Sequence, residues 1–153
     1  MLYLVHHGDA VGPEVDPLRP LSDRGRADVE RLAQQAAARG VKPDIVWHSG
    51  KVRARQTAEA YRRCCNPLAS FSASRGLQPT DPTNWIVDAI SGQAGSIMLA
   101  GHFPHLPRLL ARLLTGDPEG RSADFPLNGI VALEDVEGKW VERWRIRSGG
   151  QTP

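Results

Sequence analysis

Cysteine is almost missing from this chain: 153 residues include two, Cys64 and Cys65, and they are sequence neighbours. A vicinal pair closes a disulfide only with strain, so no disulfide framework is expected and both thiols are read as free. An excess of one charge is also lacking. Nineteen Lys and Arg face seventeen Asp and Glu, a net charge of +2, and no long basic run occurs. Bulk attraction to nucleic acid or to a membrane surface is therefore not expected, while a local basic pocket is compatible with the balance. No apolar run is long enough to cross a bilayer, and the N-terminus has neither a basic n-region nor an extended apolar segment. A cytoplasmic protein is the expectation. Aromatic residues make up only 6%, and the four tryptophans read as core or edge packing, not as a base-stacking platform.

What is present suits one globular domain, with 41% hydrophobic and 24% charged residues. The domain is expected over residues 1–147, followed by a flexible tail at 148–153. Apolar runs at 2–5, 44–47 and 96–100 predict strands, each too short for a core helix. Between them lie helical patterns. Ser22 can cap a helix that places Val29, Leu32, Ala33 and Ala36 on one face and ends at Gly40. A second helix is predicted from Val52 to about Cys65, a short one around Trp85, Ile86 and Ala89, and another from Pro104 to near Gly116. Residues 130–133 and 140–146 predict a hairpin across Glu137-Gly138, with Trp140, Glu142, Trp144 and Ile146 on one face. Pro/Gly-rich stretches at 11–20 and 115–129 read as loops. Strands alternating with helices imply a mainly parallel α/β sheet with an antiparallel C-terminal edge, whose ligands bind at the carboxyl ends of the strands.

Three segments sit at those ends. Leu4-Val5-His6-His7-Gly8-Asp9-Ala10 delivers two histidines from a strand to a glycine, which leaves room for a close approach. Trp47-His48-Ser49-Gly50-Lys51-Val52-Arg53-Ala54-Arg55-Gln56-Thr57-Ala58 follows the second strand, and Gly101-His102-Phe103-Pro104-His105 follows the third. A basic pocket rich in histidine at such a place suits phosphate chemistry. The metal alternative draws on His6, His7 and the His102-x-x-His105 pair as zinc ligands. Against it, no cysteine or carboxylate lies in a ligand motif, and adjacent histidines diverge in a strand. The same divergence leaves His6 two readings, a pocket residue or a satisfied core histidine. His48 and His105 are read as bystanders.

These segments, together with Arg19-Pro20-Leu21-Ser22-x-x-Gly25, occur in an order that resembles the histidine phosphatase superfamily, with its phosphoglycerate mutase-like fold, and specifically its short SixA-like branch. The resemblance runs from Leu2 to about Ile146. It implies a three-layer α/β/α sandwich and phosphoryl transfer through a covalent phosphohistidine. His7 matches the family nucleophile, Arg53 a phosphate-binding arginine, and His102 the second pocket histidine. Arg19 matches a basic residue beside the pocket. No metal and no cofactor are implied. The substrate implied for this branch is a phosphohistidine on a protein; a small phosphorylated molecule is the alternative.

Two departures bear on activity. The family pattern Arg-His-Gly is here His6-His7-Gly8, so the first phosphate contact is a smaller, often neutral group. His6 is expected either to compensate when protonated, favouring mildly acidic pH, or to leave a protein that binds phosphorylated ligands and turns them over poorly. Ester-cleaving members also offer a glutamate after the central region, where this chain has Gly76-Leu77-Gln78-Pro79. An alkoxide leaving group needs a proton from such an acid; a phosphoramidate nitrogen can be protonated before it leaves. The loss tilts the expected substrate towards phosphohistidine. Asp81 is either a substitute acid or a cap for the following helix.

Overall fold

The computed structural model describes residues 1–120 and 124–149. Its elements run β1 (Leu2–His6), α1 (Asp23–Ala38), β2 (Ile45–His48), α2 (Val52–Cys65), β3 (Ser70–Ala73), α3 (Thr83–Ser91), β4 (Ile97–Gly101), α4 (His105–Thr115), β5 (Ile130–Val136) and β6 (Lys139–Ile146). The sheet has the order β3-β2-β4-β1-β5-β6. The first four strands of that order run parallel, while β5 is antiparallel to both β1 and β6. The expected α/β class, its parallel sheet and its antiparallel C-terminal edge are all present.

Side chains alternating along β1 divide the core between the two faces of the sheet. Tyr3 and Val5 join Val29, Leu32, Ala33 and Ala36 of α1 and Ala58 and Tyr61 of α2. Leu2 and Leu4 join Ile86 and Ile90 of α3 and Leu106, Leu109 and Leu110 of α4 on the other face. The result is the α/β/α sandwich. It also has a functional consequence. β1 and β4 are parallel neighbours, yet the helices that follow them cover opposite faces. Their loops therefore part above the sheet and open a crevice at the carboxyl ends, where ligands of such folds bind.

Local chemistry explains the boundaries. Ser22 caps α1 by accepting the Gly25 N–H at 3.0 Å, and Gly40, at φ +84°, follows its end. α4 stops where Gly116 turns left-handed and donates its N–H to the Arg112 carbonyl. The first turn of α1 presses on the chain leaving β1. A methyl group on Gly25 would overlap the Asp9 carbonyl, and one on Gly8 would overlap Val29. The close approach expected at Gly8 is thus made by a helix, and the glycines are needed for packing.

Three features differ from expectation. β3, Ser-Phe-Ser-Ala, was not predicted because only Phe71 is a large apolar residue; its ladder to β2 creates the strand. In the hairpin, Ala132 pairs with Trp144 but Leu133 pairs with Glu142, so a bulge skips Arg143. That extra residue reverses the alternation. Trp144 and Ile146 pack on the α1/α2 face and Trp140 on the α3/α4 face, not together. Lastly, Gly149 of the expected tail donates its N–H to Asp28, and Ser148 bonds to the same carboxylate. Residues 150–153 of that tail, and 121–123 of the loop at 115–129, lie outside the described residues. Among the described residues no helix is long and apolar enough to cross a membrane.

Candidate active site

His6 is the last residue of β1 and faces the α3/α4 side, 5% exposed. Its ring stacks on Phe103 with centroids 4.0 Å apart, and its Nδ1 accepts the Asn128 backbone N–H at 2.7 Å. His7 follows on the other side of the chain. Its backbone N–H donates to the Gly101 carbonyl, which ties it to the end of β4. Its Nδ1 lies 2.7 Å from the Gly8 carbonyl. A carbonyl only accepts, so the proton of neutral His7 is on Nδ1 and the lone pair is on Nε2. That tautomer is the one a nucleophile attacking through Nε2 requires.

Arg53 comes from the first turn of α2. Thr57, one turn later, accepts the Gly8 N–H at 3.0 Å and donates to the Arg53 carbonyl at 2.8 Å. His102 follows β4, and its ring lies 5.1 Å from that of His7. Its Nε2 is 2.6 Å from the Ser49 hydroxyl, while its Nδ1 is buried without a protein partner. Arg53 Nε is likewise buried and unpartnered. Arg19, with φ +48°, donates through Nε to the Val11 carbonyl, and its charge reaches both His7 and Arg53. His6, His7, Arg19, Arg53 and His102 therefore gather at one end of the sheet.

The cluster is basic by structure, yet its imidazoles are held neutral. Burial, followed by the neighbouring His7 and Arg53, pushes His6 down to about 3. Burial, followed by the same two neighbours, does the same to His102, also to about 3. His7 lies below its ordinary value, chiefly through burial, with Arg53 and Arg19 adding to the shift and the Gly8 bond and Asp9 opposing it. In the ligand-free site this environment opposes protonation of His6, whose Nδ1 lone pair is already committed to a backbone donor.

Gln78 donates through its amide to the Ser49 carbonyl at 2.6 Å, beside the His102 partner. Asp81 accepts the Gln78 backbone N–H at 3.0 Å, bracing that turn; the α3 cap position belongs to Pro82. His48 is buried and accepts the Gly50 N–H. His105 is buried at the start of α4, and neither ring nitrogen has a partner. Among the described residues no three His, Cys, Asp or Glu side chains are grouped to hold a metal ion. Asn128, Ser49 and the bridging role of Thr57 were missed from the sequence. The Asn128-Gly129 turn dipeptide was a usable signal for the first.

The family model of the histidine phosphatase superfamily (branch 1) matches residues 2–85. The chain belongs to this superfamily. Phosphohistidine phosphatase SixA of Escherichia coli K12 is 24% identical over 151 residues, covering 95% of this chain and 92% of that protein. A structure of the protein histidine phosphatase SixA complexed with tungstate superposes with a TM-score of 0.80 at 25% identity, covering 95% of this chain and 96% of the other. A phosphoserine phosphatase from Entamoeba histolytica, bound to 3-phosphoglyceric acid, shares the fold at 14% identity, with a TM-score of 0.69 and 97% of both chains covered. Within the superfamily the chain falls in the SixA-like branch. Membership carries the activity of a phosphatase acting on a phosphorylated substrate.

Proposed function

We propose that this phosphatase, through a single domain over residues 1–147, removes the phosphoryl group from a phosphohistidine on a protein, without metal or cofactor. The observation that carries the reading is the His7 Nδ1–H bond to Gly8, which leaves the Nε2 lone pair free beside Arg53, Arg19 and His102.

The substrate phosphorus meets His7 Nε2. A new N–P bond forms as the substrate's N–P bond breaks, and the electron pair leaves with the substrate nitrogen, which takes a proton. Arg53 offers its planar fork to the phosphoryl oxygens, and Arg19 adds a second fixed positive charge. Ser49 accepts the Lys51 backbone N–H, and His102 Nε2, at 2.6 Å, is the acceptor in reach of its own proton; with that proton donated there, His102 presents Nδ1–H to the phosphoryl group. Water then attacks phosphorus, the His7 N–P bond breaks, and the electron pair returns to Nε2 as phosphate departs.

The leaving group supports the substrate class. Gln78 holds an amide where a proton donor would serve an ester, and Asp81 is turned to the backbone. A protonated imidazole leaves without such help, whereas an alkoxide does not. The similarity to SixA agrees with this preference.

Phosphate release from a phosphohistidine peptide and from an aryl phosphate, each with chelator present, tests the reading. The expected result is faster release from the peptide, insensitive to chelator and abolished in His7→Ala. Faster release from the ester would assign a small-molecule phosphomonoesterase instead. Binding of the peptide with no release from either substrate would assign recognition alone.

A further inference from the structure

Asn128 lies just before β5 in the left-handed region, at φ +54°. Most side chains are strained there, and asparagine is among the few that enter it readily. Two bonds hold it to the nucleophile's strand. Its backbone N–H donates to His6 Nδ1 at 2.7 Å, and its side-chain amide donates to the His7 carbonyl at 2.7 Å. The next residue completes the clamp, because the His6 N–H donates to the Gly129 carbonyl at 2.9 Å. One loop thus grips the main chain on both sides of the peptide that joins the two histidines.

We propose that Asn128 is a positioning residue for phosphoryl transfer, one that fixes His6 as a neutral imidazole with its proton on Nε2 and holds the His7 carbonyl in place. The proposal rests on His7 being the nucleophile. A backbone N–H only donates, so His6 Nδ1 must keep its lone pair, and a neutral ring then carries its proton on Nε2. The surroundings act in the same direction. His7, just past β1, lies 4.4 Å away between ring centroids, and Arg53 of α2 and His102 beyond β4 complete the charged or titratable groups facing it. Phe103 covers its face and Phe125 packs edge-on to Phe103. The Arg53 cation on one side and phenyl rings on the other both oppose a charge on His6. His6 therefore brings a directional N–H and no charge, and the fixed positive charge of the site is that of Arg53 and Arg19.

Two-bond ¹H–¹⁵N correlation spectra of histidine-labelled protein report which ring nitrogen carries the proton. The expected spectrum has His6 protonated at Nε2 and bare at Nδ1, unchanged between pH 8 and pH 5. A second proton on His6 within that range, or a proton on Nδ1 alone, overturns the proposal whatever the activity. Asn128→Gly keeps the left-handed turn and the backbone N–H but removes the amide. It is expected to keep the His6 tautomer and to lower kcat roughly 10-fold while KM stays within about twofold, the pattern of a misplaced nucleophile. Unchanged kcat in Asn128→Gly overturns the clamp. Asn128→Ala strains the turn that aims the N–H, and its His6 is expected to titrate inside the same range; an unaltered His6 spectrum there overturns the role given to the turn. A wild type with the expected spectrum but no turnover defeats the proposed reaction instead, and the clamp's catalytic role with it.

Discussion

Thr57 joins Gly8 to Arg53: one hydroxyl accepts the Gly8 N–H at 3.0 Å and donates to the Arg53 carbonyl at 2.8 Å. The chain that carries His7 out of β1 and the helix that carries Arg53 are thereby held in one register. Thr57 is fully buried, so no solvent can replace either bond.

Thr57→Val keeps the shape and removes both bonds. It leaves a buried N–H unsatisfied, at a cost of about 1–3 kcal/mol in unfolding free energy. Thr57→Ser is expected to keep most of that stability and most of kcat. Urea unfolding and steady-state kinetics on the same preparations check both; equal stability of the valine and serine variants would refute the bridge.

Stability is expected to fall below neutral pH. His6 and His102 are pushed down to about 3 in the folded chain, whereas an unfolded histidine titrates near 6.5. Between those values the unfolded chain binds the extra protons and is favoured. The two groups' contribution is therefore complete above about 6.5 and is lost progressively as pH falls towards 3, by roughly 1.4 kcal/mol per pH unit for each group. Urea midpoints measured from pH 8 to pH 4.5 check this, and a slope no shallower in His6→Asn than in wild type would count against it.

Gln78→Glu places an acid beside the Ser49 carbonyl, where the amide now donates at 2.6 Å. Protonated glutamate can keep that bond or give its proton to a leaving oxygen. Rates on alkyl and aryl phosphates are expected to rise relative to phosphohistidine, by about 10-fold or more given the usual worth of a general acid. The ratio of kcat/KM on the two substrate classes is the readout, and an unchanged ratio would remove Gln78 from the account of selectivity.

His6→Arg restores the residue type of the family pattern but is not expected to restore its chemistry simply. Guanidinium has no lone pair to accept the Asn128 N–H, and Phe103 occupies the face where it would lie. The variant should unfold more easily by about 1–3 kcal/mol, the cost of an orphaned buried donor. Thermal melts with and without phosphate would show it; a more stable variant would contradict the fit described for His6.

Residues whose placement is set by local chain geometry were legible in the sequence. A short apolar run brought His7 to the end of β1, Ser22 capped its helix, and Val52 to Cys65 formed α2 as its spacing predicted. What escaped depends on partners distant in sequence. β3 exists through its ladder to β2, and Asn128 acts on histidines 122 and 121 positions earlier. The bulge at Arg143 belongs to the same group. Alternation within one strand looked regular, and only the pairing with β5 displaced it. That His6 can be neutral was legible; the burial and the backbone donor that favour it were not.

The order in which the chain is made acquires a meaning from the sheet. β1 is the first strand, yet its two neighbours are β4 and β5, so Leu2 lies between Ile97 and Leu133. Pairings this remote form late, after most of the chain is available. A ribosome-bound fragment that already contains His7, Arg53 and His102 still lacks β5, the antiparallel neighbour of β1. Until the chain reaches β5, the His6 ring has no Asn128 N–H to accept and the His7 carbonyl has no amide donor from Asn128.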